Sequence, residues 1–342
     1  MSVAEKKQYN LLDALKIVAA FFVVCIHVHF PGDLGRCVIA VARFAVPFFF
    51  MVSGFFSYYE NKSVLEAKYK RKIKHVVVLL LSGCALYFPF GLAKALAGGS
   101  AVSYLGKIFS LTSIAEFLIF NNTSVSEFLW FLPALIYTYI VFFLFEKKGI
   151  TKKLYFLIPL LFLSGVALRE ITEVASGLPA IMQKSYVYRN FLFTGLPFFM
   201  LGHFIKANEE KLKEKLSLPV LLFMMIAGNA ESIAVDMLHL QKSIYVGTFV
   251  SVFALFVFAI KYENKNNFRR ISYAGAQYSF YVYVIHVMVR DVIKQTGGII
   301  HVIGKILEKT VYVYPFIVFA TALVAAAVYV YLKKFIKNKK TL

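Results

Sequence analysis

The stretch LLDALKIVAAFFVVCIHVHF, residues 11–30, decides the fold. Its twenty residues are the length a helix needs to cross about 30 Å of hydrocarbon. Apart from Asp13, Lys16, His27 and His29, every side chain in it is apolar. An ionisable group inside such a span costs at least about 2.5 kcal/mol at the centre, which makes it a functional suspect. At 100° per residue, Lys16 and His27 lie three turns plus about 20° apart, so they share one helix face, separated by about 16 Å along the axis. His29 stands at the helix end and reads as an interfacial residue.

Working outward, apolar blocks of roughly 18–23 residues recur along the 342-residue chain, with the charges mostly between them. They predict helices at 11–30, 36–58, 75–95, 127–145, 154–170, 190–206, 218–238, 243–261, 272–294 and 311–332. The expected fold is therefore all-α, a polytopic transmembrane bundle of about ten helices. Residues 1–342 are expected to form a single integral-membrane domain. A hydrophobic fraction of 60% and a mean hydropathy of +0.70 agree, since soluble domains are about 45–50% apolar. The segment 96–126 is the longest connection, and its stretch Leu105–Phe120 is a candidate interfacial or re-entrant helix.

The net charge of +20 is not a nucleic-acid signature here, because the cations cluster beside apolar spans. Lys6 and Lys7, the group Lys62 to Lys74, Lys147 to Lys153, Lys206 to Lys215, Lys261 to Arg270 and Lys333 to Lys340 all fall on one side in a ten-span count. The alternate loops hold few cations: Lys107, Lys184, Lys242, Lys305 and Lys309, with Lys94 and Arg189 at helix edges. This asymmetry predicts that both ends of the chain are cytoplasmic. Cys25, Cys37 and Cys84 fall inside apolar blocks with no paired spacing. That suggests neither a disulfide framework nor a zinc site, and no metal is expected. No cleavable signal is evident, so the first block is expected to remain in the membrane.

Further ionisable residues mark a polar interior. Arg43 lies in the second helix, about 10 Å from its start, and is followed by Pro47 and by Ser53-Gly54. Arg36, nearer the surface, reads as an interface anchor. Glu127 and Trp130 open the fourth helix, and Arg189 and Asn190 open the sixth. His203 lies near the inner end of the sixth helix, Glu231 and Asp236 in the outer half of the seventh, and His286 within the ninth. A polar interior suits an active site or a solute path.

Asp13-x2-Lys16-x10-His27, then Arg43-x3-Pro47-Phe48-Phe49 and Ser53-Gly54-Phe55, form a recognisable pattern. Leu129-Trp130-Phe131-Leu132-Pro133-Ala134-Leu135, Arg189-Asn190-Phe191-Leu192-Phe193 and Tyr281-Val282-Tyr283-Val284-Ile285-His286 extend it. The chain resembles the membrane-bound acyltransferase family 3, whose members modify cell-surface glycans and related molecules. It departs from the family's Arg-x10-His by carrying Lys16, which keeps the charge and loses the bidentate fork. It also resembles the membrane module of vancomycin-resistance serine racemases, which is associated with serine supply. No racemase domain is found in these 342 residues, and racemisation is not expected.

The resemblance implies a multi-pass protein of the bacterial cytoplasmic membrane. The donor would be cytoplasmic acyl-CoA, acetyl-CoA by default, with no permanently bound cofactor. The acceptor would be a hydroxyl of a cell-surface polysaccharide or lipid-linked glycan. It makes His27 the catalytic base or nucleophile and Arg43 its electrostatic partner. Lys16, Asp13, Trp130, Arg189 and Asn190 would be substrate-binding residues, with Glu231, Asp236 and His286 as further candidates. The competing class is a small-solute (amino-acid) transporter or flippase. Against it, no pair of Gly/Pro-broken helices recurs in matching halves.

Overall fold

A computed structural model describes residues 8–175, 177–238, 245–263, 268–299 and 310–339. Lys6, Lys7, Lys242, Lys265, Lys305, Lys309 and Lys340 of the charge count, and the start of the predicted 243–261 helix, lie outside the described residues. Among the described residues the fold is all-α, and a helix stands at each of the ten predicted positions. Seven of these helices are long and apolar enough to cross a membrane. Phe191–Ala207 and Val246–Lys261 are shorter apolar helices.

In chain order the helices are α1 (Asn10–His27), α2 (Gly32–Ala42), α3 (Ala45–Phe55), α4 (Leu65–Ala97), α5 (Ala101–Ile108), α6 (Leu111–Phe120) and α7 (Phe131–Lys147). Then follow α8 (Leu157–Val174), α9 (Leu196–Ala207), α10 (Glu209–Lys215), α11 (Leu218–Met237), α12 (Val246–Lys261), α13 (Arg269–Ile299) and α14 (Tyr314–Lys339). The predicted second helix is broken at Arg43–Phe44. Pro47 explains the break, because it has no N–H to give the Arg43 carbonyl and its ring crowds that carbonyl. The predicted 75–95 helix instead starts at Leu65 and runs 33 residues, about 50 Å at 1.5 Å per residue. Its lysine-rich first turns keep helical propensity, so they extend the helix beyond the length a bilayer needs.

The chain divides into two compact units, with the boundary inside α3 between Phe49 and Phe50. One unit holds residues up to 49 and from 209 onward, the other residues 50–208.

In the first unit α1 and α13 lie side by side and parallel. Gly275 sits against the Asp13 carbonyl, where a Cβ would overlap the oxygen. Ser272 Oγ donates to the Asn10 carbonyl at 2.7 Å, and the Glu263 carboxylate accepts from the Asn10 N–H. Higher up, the His27 and His286 rings meet. α2 and α11 are antiparallel, joined by Arg36 and Asp236. α11 and α12 meet where Gly228 and Gly247 each face the other's carbonyl. Small residues permit this backbone approach, which drives helix association where lipid removes the hydrophobic incentive.

In the second unit, Gly54 sits against the Phe199 carbonyl and Gly202 against the Met51 carbonyl, which locks α3 onto α9. α4 and α7 run antiparallel: Lys62 pairs with Glu146, while the Tyr69 ring lies 5.5 Å from Phe143 and 6.0 Å from Tyr139. The helices between them, α5 and α6, are bent by 45°. They would add an eighth span only if together they crossed. Because α7 begins at the end where α4 finishes, both ends of this segment lie at the same end of the α4–α7 pair.

Two outcomes follow from this packing. With Cys25, Cys37 and Cys84 replaced by serine, single cysteines at Ser100 and Ser124 should react with an impermeant maleimide from the same face of the membrane; labelling from opposite faces would show that α5–α6 crosses. Gly275→Ala should lower the thermal midpoint in detergent through overpacking worth about 1–3 kcal/mol, and an unchanged midpoint would remove the Asp13–Gly275 contact from the account.

Candidate active site

The first unit gathers most of the residues singled out by the sequence. α1 carries Asp13 and Lys16 one turn apart and His27 three turns further on. Lys16 Nζ donates to Asp13 Oδ1 at 2.6 Å, an i,i+3 pair with both side chains largely buried. His27 is half-buried at the far end of the helix, and its ring centroid lies 5.2 Å from that of His286 on α13. His286 is fully buried. Its Nδ1 lies 2.7 Å from the Tyr283 carbonyl and so carries a proton, since a carbonyl only accepts. Its Nε2 has no hydrogen-bond partner among the described residues. Arg290, one turn beyond His286, donates to the His27 carbonyl at 3.3 Å and pairs with Asp291 at 2.7 Å.

A second group surrounds a cavity of about 280 Å³ between α1, α2 and α11. Arg36, Arg43, His29 and Asp236 line it, with Ile26 next to His27 in the chain. Arg36 donates to the Asp236 carbonyl, and its Nε lies 3.4 Å from Asp236 Oδ2. Tyr245 donates to Asp236 Oδ1 at 2.7 Å. Glu231, one turn away, accepts from the Gly247 N–H at 2.9 Å and so ties α11 to the start of α12.

The second unit holds Trp130, Arg189 and Asn190. The Arg189 guanidinium stacks 5.2 Å above the Trp130 ring. Asn190 is committed to the backbone: its Oδ1 accepts from the Leu192 and Phe193 N–H groups at 2.9 and 3.2 Å. Its Nδ2 donates to the Val187 and Tyr186 carbonyls at 2.8 and 3.1 Å. It therefore caps the wide helical turn Phe191–Gly195. Tyr186 donates to Glu116 at 2.8 Å. Burial first, and then that carboxylate, push its phenol up to about 12. His203 joins a buried chain in the same unit, with Nδ1 2.8 Å from the Tyr155 hydroxyl and Nε2 3.5 Å from the Glu146 carboxylate that pairs with Lys62.

Sequence reasoning missed Tyr245, Arg290 and Glu146, and read Arg36 only as an anchor. A signal existed for two of them. Arg36 and Arg43 are seven residues apart and Arg290 follows His286 by four, both same-face spacings on a helix. Among the described residues no three His, Cys, Asp or Glu side chains are placed to hold a metal ion.

Several known proteins resemble the chain. It is 24% identical over 280 residues to an "Amino-acid racemase" of Enterococcus faecalis, covering 77% of this chain and 37% of that protein. A second "Amino-acid racemase" of Enterococcus faecalis is 26% identical over 311 residues, covering 83% and 41%. A "Serine/alanine racemase" of Enterococcus gallinarum is 24% identical over 294 residues, covering 80% and 40%. The chain thus spans about two fifths of the length of the curated relatives it matches. No solved structure matches it significantly. The family model described as "Acyltransferase domain" matches residues 9–330, nearly the whole chain including both histidines of the α1–α13 pair, and the protein belongs to that membrane acyltransferase family.

Proposed function

We propose that this protein is an O-acyltransferase of the bacterial cytoplasmic membrane that moves an acyl group, acetyl by default, from cytoplasmic acyl-CoA to a hydroxyl of a cell-envelope glycan. The observation that carries this reading is the His27–His286 pair, with the second ring pinned through Nδ1. With Nδ1 committed to the carbonyl, a neutral His286 ring would offer Nε2 to an N–H of His27 after a small approach of the two rings. That bond would fix the His27 tautomer and leave its other nitrogen as a base. A third group that orients the base is the arrangement acyl transfer uses elsewhere.

The step then balances as follows. His27 removes the acceptor hydroxyl proton while the oxygen bonds to the acyl carbon. The carbon–sulfur bond breaks, and the departing thiolate takes the proton from His27. Lys16, steadied by Asp13, lies toward the opposite end of α1. With both chain ends cytoplasmic, that end faces the donor, where an ammonium suits a coenzyme A phosphate. Arg43 stabilises charge on the acceptor side; within the second unit the Trp130–Arg189 stack is a separate binding surface.

A second reading, a small-solute (amino-acid) transporter, draws on the ionisable residues within the spans, such as Arg36 and Asp236 beside their cavity. Transfer of label from acetyl-CoA by the purified protein, measured beside amino-acid uptake into proteoliposomes without acyl-CoA, separates the two.

His27→Ala should insert normally and lose about 10²–10⁴-fold in transfer; retained transfer would end its catalytic role. His286→Ala should lower kcat and alter its pH profile while KM for acyl-CoA holds, and an equal rise in KM with kcat intact would assign His286 to binding instead. Lys16→Arg should keep or improve KM for the donor, because arginine supplies the fork that phosphate prefers.

A further inference from the structure

Arg36 and Asp236 form a buried ion pair that the proposed acyl transfer does not use. The Arg36 and Asp236 side chains are 22% and 4% exposed. Removing such charges from water costs more than their attraction reliably returns, so stability is a weak reason to keep them. The pair is also tightly held. Arg36 reaches both the carboxylate and the backbone carbonyl of Asp236, and its Nη1 lies 3.6 Å from Asp33. Tyr245, itself buried, fixes the other carboxylate oxygen at 2.7 Å. The result is a guanidinium aligned in advance at the wall of a cavity.

The lining of that cavity sets the chemistry of its occupant. Two guanidiniums and one carboxylate are present; the carboxylate accepts from Tyr245 through Oδ1 and is balanced in charge by Arg36, 3.4 Å from Oδ2. His29, also on the wall, turns Nε2 to the Ile26 carbonyl at 2.7 Å. Gly32 and Gly35 put no side chain into the space. A space of about 280 Å³ suits a compact group such as a carboxylate or phosphate together with part of the sugar ring that carries it. Planar guanidinium forks are the side chains that best match carboxylate and phosphate oxygens.

We propose that this cavity is a subsite for a compact oxyanion, a carboxylate or phosphate carried by the acyl acceptor, so that the acceptor is an acidic glycan unit. The proposal rests on the acyltransferase reading. Its place in the fold fits, because Ile26 on the wall precedes His27 directly. An acidic group seated here would hold the acceptor beside the turn of α1 that carries the base. Effective positioning of this kind is what substrate-orienting arginines contribute.

The test measures binding to the purified full-length protein in detergent, without acyl-CoA, so that failure of acyl transfer and failure of the subsite read out separately. The probes are glucuronate against glucose, inorganic phosphate, and L-alanine against propionate. Glucuronate or phosphate should bind at least tenfold more tightly than glucose, and whichever of the two binds identifies the acidic group. Arg36→Lys keeps the charge opposite Asp236 while losing the fork, and should weaken that binding at least tenfold with the thermal midpoint retained. Arg43→Gln should weaken it as well, and serves as the readout if the Arg36 variant unfolds. Glucose binding as well as glucuronate, or both variants binding as the wild type does, would overturn the proposal. Tighter binding of L-alanine than of propionate would overturn it too, by showing that Asp236 receives an ammonium.

Discussion

The missing side chain at Gly275 holds the first unit in register. With no Cβ there, the backbone of α13 rests on the Asp13 carbonyl of α1, and any larger residue would push the two helices apart. In water such a crossing would be one contact among many, but in lipid the apolar faces gain little by leaving one hydrocarbon for another. Close backbone approach and interhelical hydrogen bonds then carry the association. Ser272 and Glu263 supply those bonds at the Asn10 end. Once the parallel register is set at Gly275, the far ends of α1 and α13 have no choice of partner, and His27 arrives beside His286 and Arg290. The same device recurs at Gly228 with Gly247, and in the second unit at Gly54 and Gly202.

The charged residues obey a complementary rule. An ionised group in a low-dielectric interior is tolerated when something answers it within hydrogen-bond reach. Asp13 answers Lys16, Asp236 answers Arg36, and Glu146 answers Lys62. These pairs differ in what they leave over. The Lys16 pair is local to one helix turn and needs no tertiary support. Asp236 draws on three elements, through Arg36 of α2, Tyr245 before α12 and its own α11, so it reports the correct assembly of the unit. Glu146 does the same work in the second unit through His203 and Tyr155.

How much of this the sequence displays depends on the range of the interaction. The bilayer imposes a length of about twenty residues on each span, so ten helix positions are legible from hydropathy alone. Their ends are not, because polarity marks where a helix leaves the membrane and says nothing about where its hydrogen bonding stops; α4 runs on to Leu65 through a lysine-rich turn for that reason. The same holds for function. Lys16 and His27 are visible because one helix fixes their spacing. Their neighbours on α13 lie more than two hundred residues away in the chain, and no periodicity links them. Tyr245 is indistinguishable in sequence from the other members of a set of 21 tyrosines, and only its reach to Asp236 gives it a role. Asn190, conspicuous beside Arg189, turns out to spend both ends of its amide on the backbone.

The antiparallel pairing of α4 with α7 shows how packing can decide what composition leaves open. By length and apolarity α5 and α6 together qualify as a span. Counting them as one would move every later basic loop to the opposite face and would require α4 and α7 to run parallel. The contacts run the other way: Lys62 meets Glu146, and Tyr69, about two turns on, meets Phe143 and Tyr139. The parallel arrangement of α1 with α13 within the other unit is a second condition on direction, set by Gly275 against Asp13 and by His286 beside His27. Helix direction, fixed by a few aromatic, ionic and glycine contacts, therefore bears on how many spans the chain makes through a physical route separate from the cation asymmetry.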